Sequence, residues 1–224
     1  PSLKLLSITG STEVGRHAAQ TVAARFGKCI LELGGNNAII VTPEANLKLA
    51  IPAIVFSAVG TAGQRCTTTR RVIIHESVAE QVIAALRNAY ESLRIGDPLE
   101  PTNHMGPLID TDAVAQYRTT LDDIAAQGGT ILCGGSVLSG TRYRSGCYVE
   151  PVLARVKNDY PVVQQERFVP ILYLITYSGG VEAAVALQNQ ADHGLSSAIF
   201  TDNLQEAEYF LSAAGSDCGL ANVN

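Results

Sequence analysis

Strand-length apolar runs alternate with helix-length segments from one end of this chain to the other, and that alternation narrows its fold more than any other feature. Leu3 to Thr9 reads as a short buried strand. Gly10-Ser11 opens a helix with Val14, Ala18, Val22 and Phe26 on one face, and Cys29 to Leu33 is the next strand. Ala38 to Val41 is a strand. Asn46 caps a helix from Leu47 to about Ala62 that is apolar nearly all round and so predicted to be buried, with Pro52 expected to end or kink its first turn. Arg71 to His75 is a strand, and Ser77-Val78-Ala79-Glu80 reads as a capping box before a helix with Val82, Leu86, Ala89 and Leu93 aligned. Thr111 to Gln127, Val181 to Asn189 and Leu204 to Ala214 read as helices. Thr130 to Cys133, Tyr148 to Val156, Pro170 to Thr176, Ser197 to Phe200 and Cys218 to Val223 read as strands. The pattern predicts an α/β fold: an open, mostly parallel sheet with flanking helices.

A boundary falls at Gly34-Gly35. A strand-helix-strand piece, 1–34, is too short to make its own core, and 35–224 can form one sheet domain. Residues 1–34 thus read as the end of a larger domain, and Pro1 and the final Leu220–Asn224 run read as cut ends. Composition removes several function classes. The net charge of −5 argues against a general nucleic-acid binder. The longest uncharged apolar stretch, Ala50 to Gly63, is shorter than the ~18–20 residues that span a bilayer, so no membrane partner is expected. The five cysteines are scattered without a C-x-x-C, which suits a reducing, cytoplasmic setting, and no Cys/His cluster supports a metal.

Chemistry concentrates at a few positions. Cys66 lies in Gly63-Gln64-Arg65-Cys66-Thr67-Thr68-Thr69-Arg70-Arg71, between a helix and a strand. Thiolate is the nucleophilic form, and Arg65 beside it would stabilise one. A free cysteine is more often a small core hydrophobe, a reading that suits Cys29, Cys133, Cys147 and Cys218 better than this polar run. Glu32 closes an apolar strand, where desolvation would make it a general base; the competing reading is an edge residue facing solvent. Gly10, Ser11 and Thr12 join a strand to a helix, placing small residues where a phosphate could approach, or forming an ordinary turn. Glu166-Arg167-Phe168-Val169-Pro170 offers a carboxylate for ribose hydroxyls and an aromatic for a flat heterocycle, or a surface turn before a core strand.

Taken in order, these segments resemble the aldehyde dehydrogenase superfamily: Ile8-Thr9-Gly10-Ser11-Thr12-Glu13-Val14-Gly15, then Leu31-Glu32-Leu33-Gly34-Gly35-Asn36-Asn37, then Phe56 through Cys66, then Glu166 through Pro170. Gly96-Asp97-Pro98 and Met105-Gly106-Pro107-Leu108 fit as well. The run Ala58 through Thr68, with Ile73-His75-Glu76-Ser77 and Gly215-Ser216-Asp217-Cys218-Gly219, is most similar to the antiquitin-like branch, which oxidises α-aminoadipic semialdehyde. Val169 stands where many members carry Gly.

The resemblance implies that 1–34 ends a Rossmann-like cofactor domain and that 35–224 is a catalytic domain. It implies oxidation of an aldehyde to an acid by NAD, with NADP not excluded. Cys66 matches the nucleophile and Glu32 the base that activates water. Gly10, Ser11 and Thr12 match the pyrophosphate loop, Glu166 the ribose ligand, and Leu33 and Phe168 the walls around the nicotinamide. Arg65 and Thr67 match substrate positions, where a cation suits a carboxylate-bearing aldehyde, although Arg65 alternatively acts only on Cys66. The family usually forms dimers or tetramers, so a homo-oligomer is implied for a full-length protein. Two other readings stand beside this one. The isolated chain is an inactive structural unit, or the protein is a cysteine acyltransferase without cofactor, which leaves Glu166 and the Gly10 turn unexplained.

Overall fold

The computed structural model describes residues 3–224, which separate into two compact units divided between Gly35 and Asn36. In the first, strand β1 (Leu5–Thr9), helix α1 (Thr12–Ala23) and strand β2 (Lys28–Glu32) form a β-α-β unit. The strands pair in parallel, with Leu5 opposite Lys28 and Thr9 opposite Glu32. Both alternate between exposed and half-buried positions, the period of a sheet covered on one face. Helix α1 presents Gly15, Ala18 and Val22 inward. Val14 and Phe26, expected on that face, are exposed; for Phe26 the reason is that the helix ends at Ala23 and the residue turns out at φ 56° with 98 % of its surface free.

The second unit contains β3 (Asn37–Val41), α2 (Leu47–Val59), β4 (Thr69–His75), α3 (Ala79–Glu91), α4 (Thr111–Ala126), β5 (Thr130–Cys133), β6 (Val152–Arg155), α5 (Pro161–Gln164), β7 (Ile171–Tyr177), α6 (Val181–Gln188), β8 (Ser196–Phe200), α7 (Leu204–Leu211) and β9 (Leu220–Val223). The strands form one seven-stranded sheet in the order β5-β6-β7-β4-β3-β8-β9. Every neighbouring pair is parallel except β5 with β6, so the predicted mostly parallel α/β sheet is what forms. The central strands β3, β4 and β7 are buried almost throughout, as expected where helices cover both faces.

Several local expectations fail. Helix α2 runs through Pro52 and instead ends at Val59, giving way to a single 3-10 turn, Gly60–Gly63, in which Thr61, Ala62 and Gly63 all have positive φ. Nor is α2 buried all round: Ala50, Ile54, Ala58 and Val59 face the core, whereas Leu49 and Phe56 are exposed. The Ser77 capping box does not form. The Ser77 hydroxyl pairs with His75 Nδ1 at 2.8 Å, and α3 begins behind Val78 without a side-chain cap. The strand expected from Tyr148 shortens to Val152–Arg155, because Val149 makes only an isolated bridge to Val137.

Candidate active site

The nucleophile candidate sits on a tightly built turn. Helix α2 delivers the chain to Thr61 and Ala62, whose left-handed backbone costs about 1–2 kcal/mol per residue and reverses the chain within a few residues. Gly63 follows at φ 73°, with a Cβ there meeting the Val169 carbonyl oxygen at 2.5 Å, so no other residue fits. Cys66 and Thr67 then occupy the tip of a turn closed by the Thr68 N–H donating to the Arg65 carbonyl at 3.1 Å. The Arg65 N–H donates back to Thr68 Oγ1 at 3.1 Å. Asn37, at the start of β3, donates from Nδ2 to the carbonyls of Cys66 and Thr68 at 2.8 and 2.7 Å, and the Ser196 N–H holds its Oδ1 at 2.9 Å. Among the described residues nothing accepts the Cys66 N–H. The thiol itself is half-buried and free of disulfide bonding.

Neighbouring side chains frame the turn. Gln64 donates to the carbonyls of Thr61 and Pro107 and accepts the Ile109 N–H, tying the turn to the 98–109 loop. Arg65 is exposed; its Nε donates to Thr61 Oγ1 at 2.8 Å and its guanidinium lies 5.8 Å from the Phe56 ring centre. Beside it opens an apolar groove of about 560 Å³ whose walls include Ile51, Val55, Phe56, Leu93 and His104. Thr67 is exposed at the turn's tip.

Glu166 and Phe168 lie on the segment that enters β7, the strand paired directly with β4. The Glu166 carboxylate meets Arg70 Nη2 at 3.2 Å, and the Phe168 ring lies 5.2 Å from the Arg70 guanidinium carbon with 40 % of its surface exposed. Phe168 donates its N–H to Gln116 Oε1 at 3.0 Å, and Arg167 pairs with Asp123 at 3.3 Å. The second unit therefore brings Cys66, Arg65, Thr67, Glu166 and Phe168 to the amino ends of two adjacent parallel strands.

The remaining candidates belong to the first unit. Ser11 caps α1, its Oγ accepting the Val14 N–H at 3.2 Å, and the Gly10 N–H donates to the Glu32 carbonyl at 3.0 Å. Gly10, Ser11 and Thr12 thus lie beside Glu32 at the carboxyl ends of β1 and β2. Leu33 packs on Gly15 so closely that a Cβ there would sit 2.4 Å from its Cδ2. Glu32 is exposed, so the desolvation expected to tune it is not found around its carboxylate.

Two arginines at the start of β4 carry structural weight that the sequence alone does not assign. Arg71 is buried and held by the carbonyls of Asn36, Leu187 and Gln188 and by Asn158 Oδ1. Burial lowers its pKa to about 10, and the last carbonyls of α6 receive its charge. Arg70 is buried as well. Its pKa is lowered by burial, while Glu166, then Tyr173 and Cys66, favour its charge. The available signal was two arginines opening an otherwise apolar strand, where a cation must find partners. Among the described residues no group of His, Cys, Asp and Glu could hold a metal ion, and no helix is long and apolar enough to cross a membrane.

A mostly parallel sheet with flanking helices defines an α/β protein, and its candidate site gathers a cysteine on a strained turn and a carboxylate-aromatic segment at the amino ends of β4 and β7. The profile of the aldehyde dehydrogenase family matches residues 1–224, and the chain belongs to that family. It is 45 % identical over 223 residues to mouse alpha-aminoadipic semialdehyde dehydrogenase, covering 99 % of this chain and 40 % of that protein. It is 44 % identical over 222 residues to aldehyde dehydrogenase family 7 member A1 of Brassica napus, covering 99 % of this chain and 44 % of the relative. The crystal structure of betaine aldehyde dehydrogenase from Staphylococcus aureus in complex with NAD+ superposes with a TM-score of 0.94 at 26 % identity, covering 99 % of this chain and 44 % of that one. The chain therefore spans about two-fifths of the length of these relatives.

Proposed function

We propose that this chain carries the catalytic portion of an NAD(P)-dependent aldehyde dehydrogenase and that Cys66 is its nucleophile. The observation that supports this most is the Cys66 turn, with its carbonyl held by Asn37 and its N–H left unengaged among the described residues. In this reading the Cys66 thiolate attacks the aldehyde carbonyl carbon, and the resulting oxyanion receives the Cys66 N–H, one half of an oxyanion hole. The thiohemiacetal carbon then loses a hydride, leaving a thioester on Cys66. Glu32 removes a proton from water, the hydroxide attacks the thioester, and the acid leaves as the thiolate is restored.

The residues present fit a dinucleotide. Gly10, Ser11 and Thr12 offer a small, polar helix start to a pyrophosphate. Glu166 keeps one carboxylate oxygen on Arg70 and presents a carboxylate to ribose hydroxyls, and Phe168 exposes a ring face beside it, with Leu33 the second proposed wall. NAD+ or NADP+, when bound, supplies the hydride acceptor. Residues 1–34 are proposed to close the cofactor domain and 35–224 to form the catalytic domain. The exposed Arg65 beside an apolar groove, together with the similarity to semialdehyde dehydrogenases, supports an aldehyde carrying a carboxylate, with Thr67 at its edge. Free cysteines support a reducing compartment such as the cytoplasm. Membership of the aldehyde dehydrogenase family supports assembly of the full-length protein into homo-oligomers. The share of its relatives that the chain spans supports the further proposal that it is catalytically silent in isolation.

Iodoacetamide inactivation of the full-length enzyme, followed by mapping of the label, tests the assignment. Activity is expected to fall in step with labelling of Cys66. Loss of activity with Cys66 unlabelled rejects it.

A further inference from the structure

Arg70 follows Cys66 by one turn of chain and has no step in the reaction just described. It is the second residue of β4, its side chain is only 2 % exposed, and its guanidinium emerges at the amino end of the sheet. Nη1 donates to the Gly63 carbonyl at 3.3 Å and to the Arg167 carbonyl at 2.6 Å. Nη2 donates to the Arg65 carbonyl at 3.1 Å and to Glu166 Oε1 at 3.2 Å. Each terminal nitrogen thus has one acceptor on the Cys66 turn and one on the Glu166 segment. Phe168 lies against the same cation.

A planar fork with fixed donor directions makes such a double bridge, whereas an ammonium, as a point charge, does not. Arg71, next in the chain, shows what a purely architectural arginine looks like here. Its hydrogen-bond partners are backbone carbonyls and an amide oxygen, none of them on the Cys66 turn or the Glu166 segment. Arg70 differs in engaging a carboxylate and both segments at once.

We propose that Arg70 is a positioning residue that locks the nucleophile turn and the cofactor-ribose carboxylate into one register. The inference rests on the roles assigned above to Cys66 and Glu166. Geometry at one segment then reaches the other through two nitrogens of a single rigid group, across 96 residues of sequence.

The test uses the full-length enzyme with Arg70→Lys, Glu166→Gln and the double variant. It reads KM for NAD+, kcat, and the rate of Cys66 alkylation by iodoacetamide. Arg70→Lys is expected to raise KM for NAD+ roughly 10-fold or more, the range of a lost charged hydrogen bond. Glu166→Gln should raise KM similarly and, without touching the Cys66 turn, change the alkylation rate roughly 3-fold or more, the lower end of coupling within one network. The double variant should fall well short of the product of the two single effects. Glu166→Gln leaves the buried cation and its carbonyl partners in place, so the alkylation measurement stands even where Arg70→Lys folds poorly. A multiplicative double variant, or a Cys66 alkylation rate indifferent to Glu166→Gln, overturns the role of Arg70 while a raised KM in Glu166→Gln keeps the site reading. An unchanged KM in Glu166→Gln overturns both.

Discussion

The two units place their candidate residues at opposite ends of parallel strands. In the first, Gly10, Ser11, Thr12 and Glu32 lie at the carboxyl ends of β1 and β2, the usual ligand side of an open α/β sheet. In the second, Cys66 and Glu166 lie at the amino ends of β4 and β7, where the loops enter the sheet. The supporting physics differs accordingly. The first unit relies on a capped helix start and small residues, with strands that stay half exposed. The second relies on its buried central strands β3, β4 and β7, a strained reversal at Thr61–Gly63 and side-chain bridges from Asn37 and Arg70. A ligand can be met by backbone at a helix start with little scaffolding, but a nucleophile at a loop must be held by polar contacts drawn from distant parts of the chain.

Removing the chemistry proposed for the first unit gives the largest expected effect among the tests of this contrast. Glu32→Gln in the full-length enzyme is expected to slow steady-state turnover by roughly 10²–10⁴-fold, the usual range for a general base, while a first-turnover burst of reduced cofactor survives. An unchanged steady-state rate would reduce the first unit to cofactor binding alone. Next come the two glycine-bearing turns. Gly63→Ala should lower stability by about 2–3 kcal/mol, since it combines a positive φ with a backbone clash. Gly10→Ala, whose new Cβ would make ordinary contact with Val14 at 3.5 Å, should change it by less than about 0.5 kcal/mol. Urea midpoints of the two variants decide this, and equal losses would erase the distinction between a strained and a relaxed turn.

The smallest effect separates the units by pH. Tyr90, Tyr117, Tyr173 and Tyr177 all lie in the second unit, and burial raises each above its ordinary value near 10. The folded state keeps these protons where the unfolded chain loses them. Their contribution to stability is therefore full below about pH 10 and falls as pH rises toward the higher folded values. Arg70 and Arg71, both lowered, act in the opposite sense, but they are outnumbered by the raised groups, which also include Tyr148 and Cys133. Amides of β3, β4 and β7 should lose exchange protection as pH is raised past about 10 by more than those of α1, once intrinsic exchange rates are normalised, because residues 3–35 contain no tyrosine. Equal losses would contradict this.

Much of the frame was legible in the sequence because periodicity reports burial directly. β5 is found at Thr130–Cys133 as read, and Asn46 caps α2 through the Lys48 N–H at 3.1 Å. What escaped depends on partners that local pattern does not encode. Nothing in Thr61 or Ala62 announces a positive φ, so α2 was read past its true end. Ser77 carries a capping pattern, yet His75 takes its hydroxyl. Phe26 fits a helical face by spacing, but the helix has ended before it. At the site, Cys66 and Glu166 stand out by residue type and neighbours. The residues that organise them, Asn37, Gln64 and Arg70, become visible only when β3, β4 and β7 lie side by side.

The most direct measurement of the central claim is the first-turnover rate of the full-length enzyme carrying Cys66→Ser, with NAD+ and a carboxylate-bearing aldehyde. The account predicts that reduced cofactor forms roughly 10⁴-fold more slowly or worse, with no burst and with NAD+ affinity retained. A first-turnover rate within about 10-fold of the unsubstituted enzyme would contradict it, because a nucleophile that can be removed so cheaply is not the group that forms the thioester.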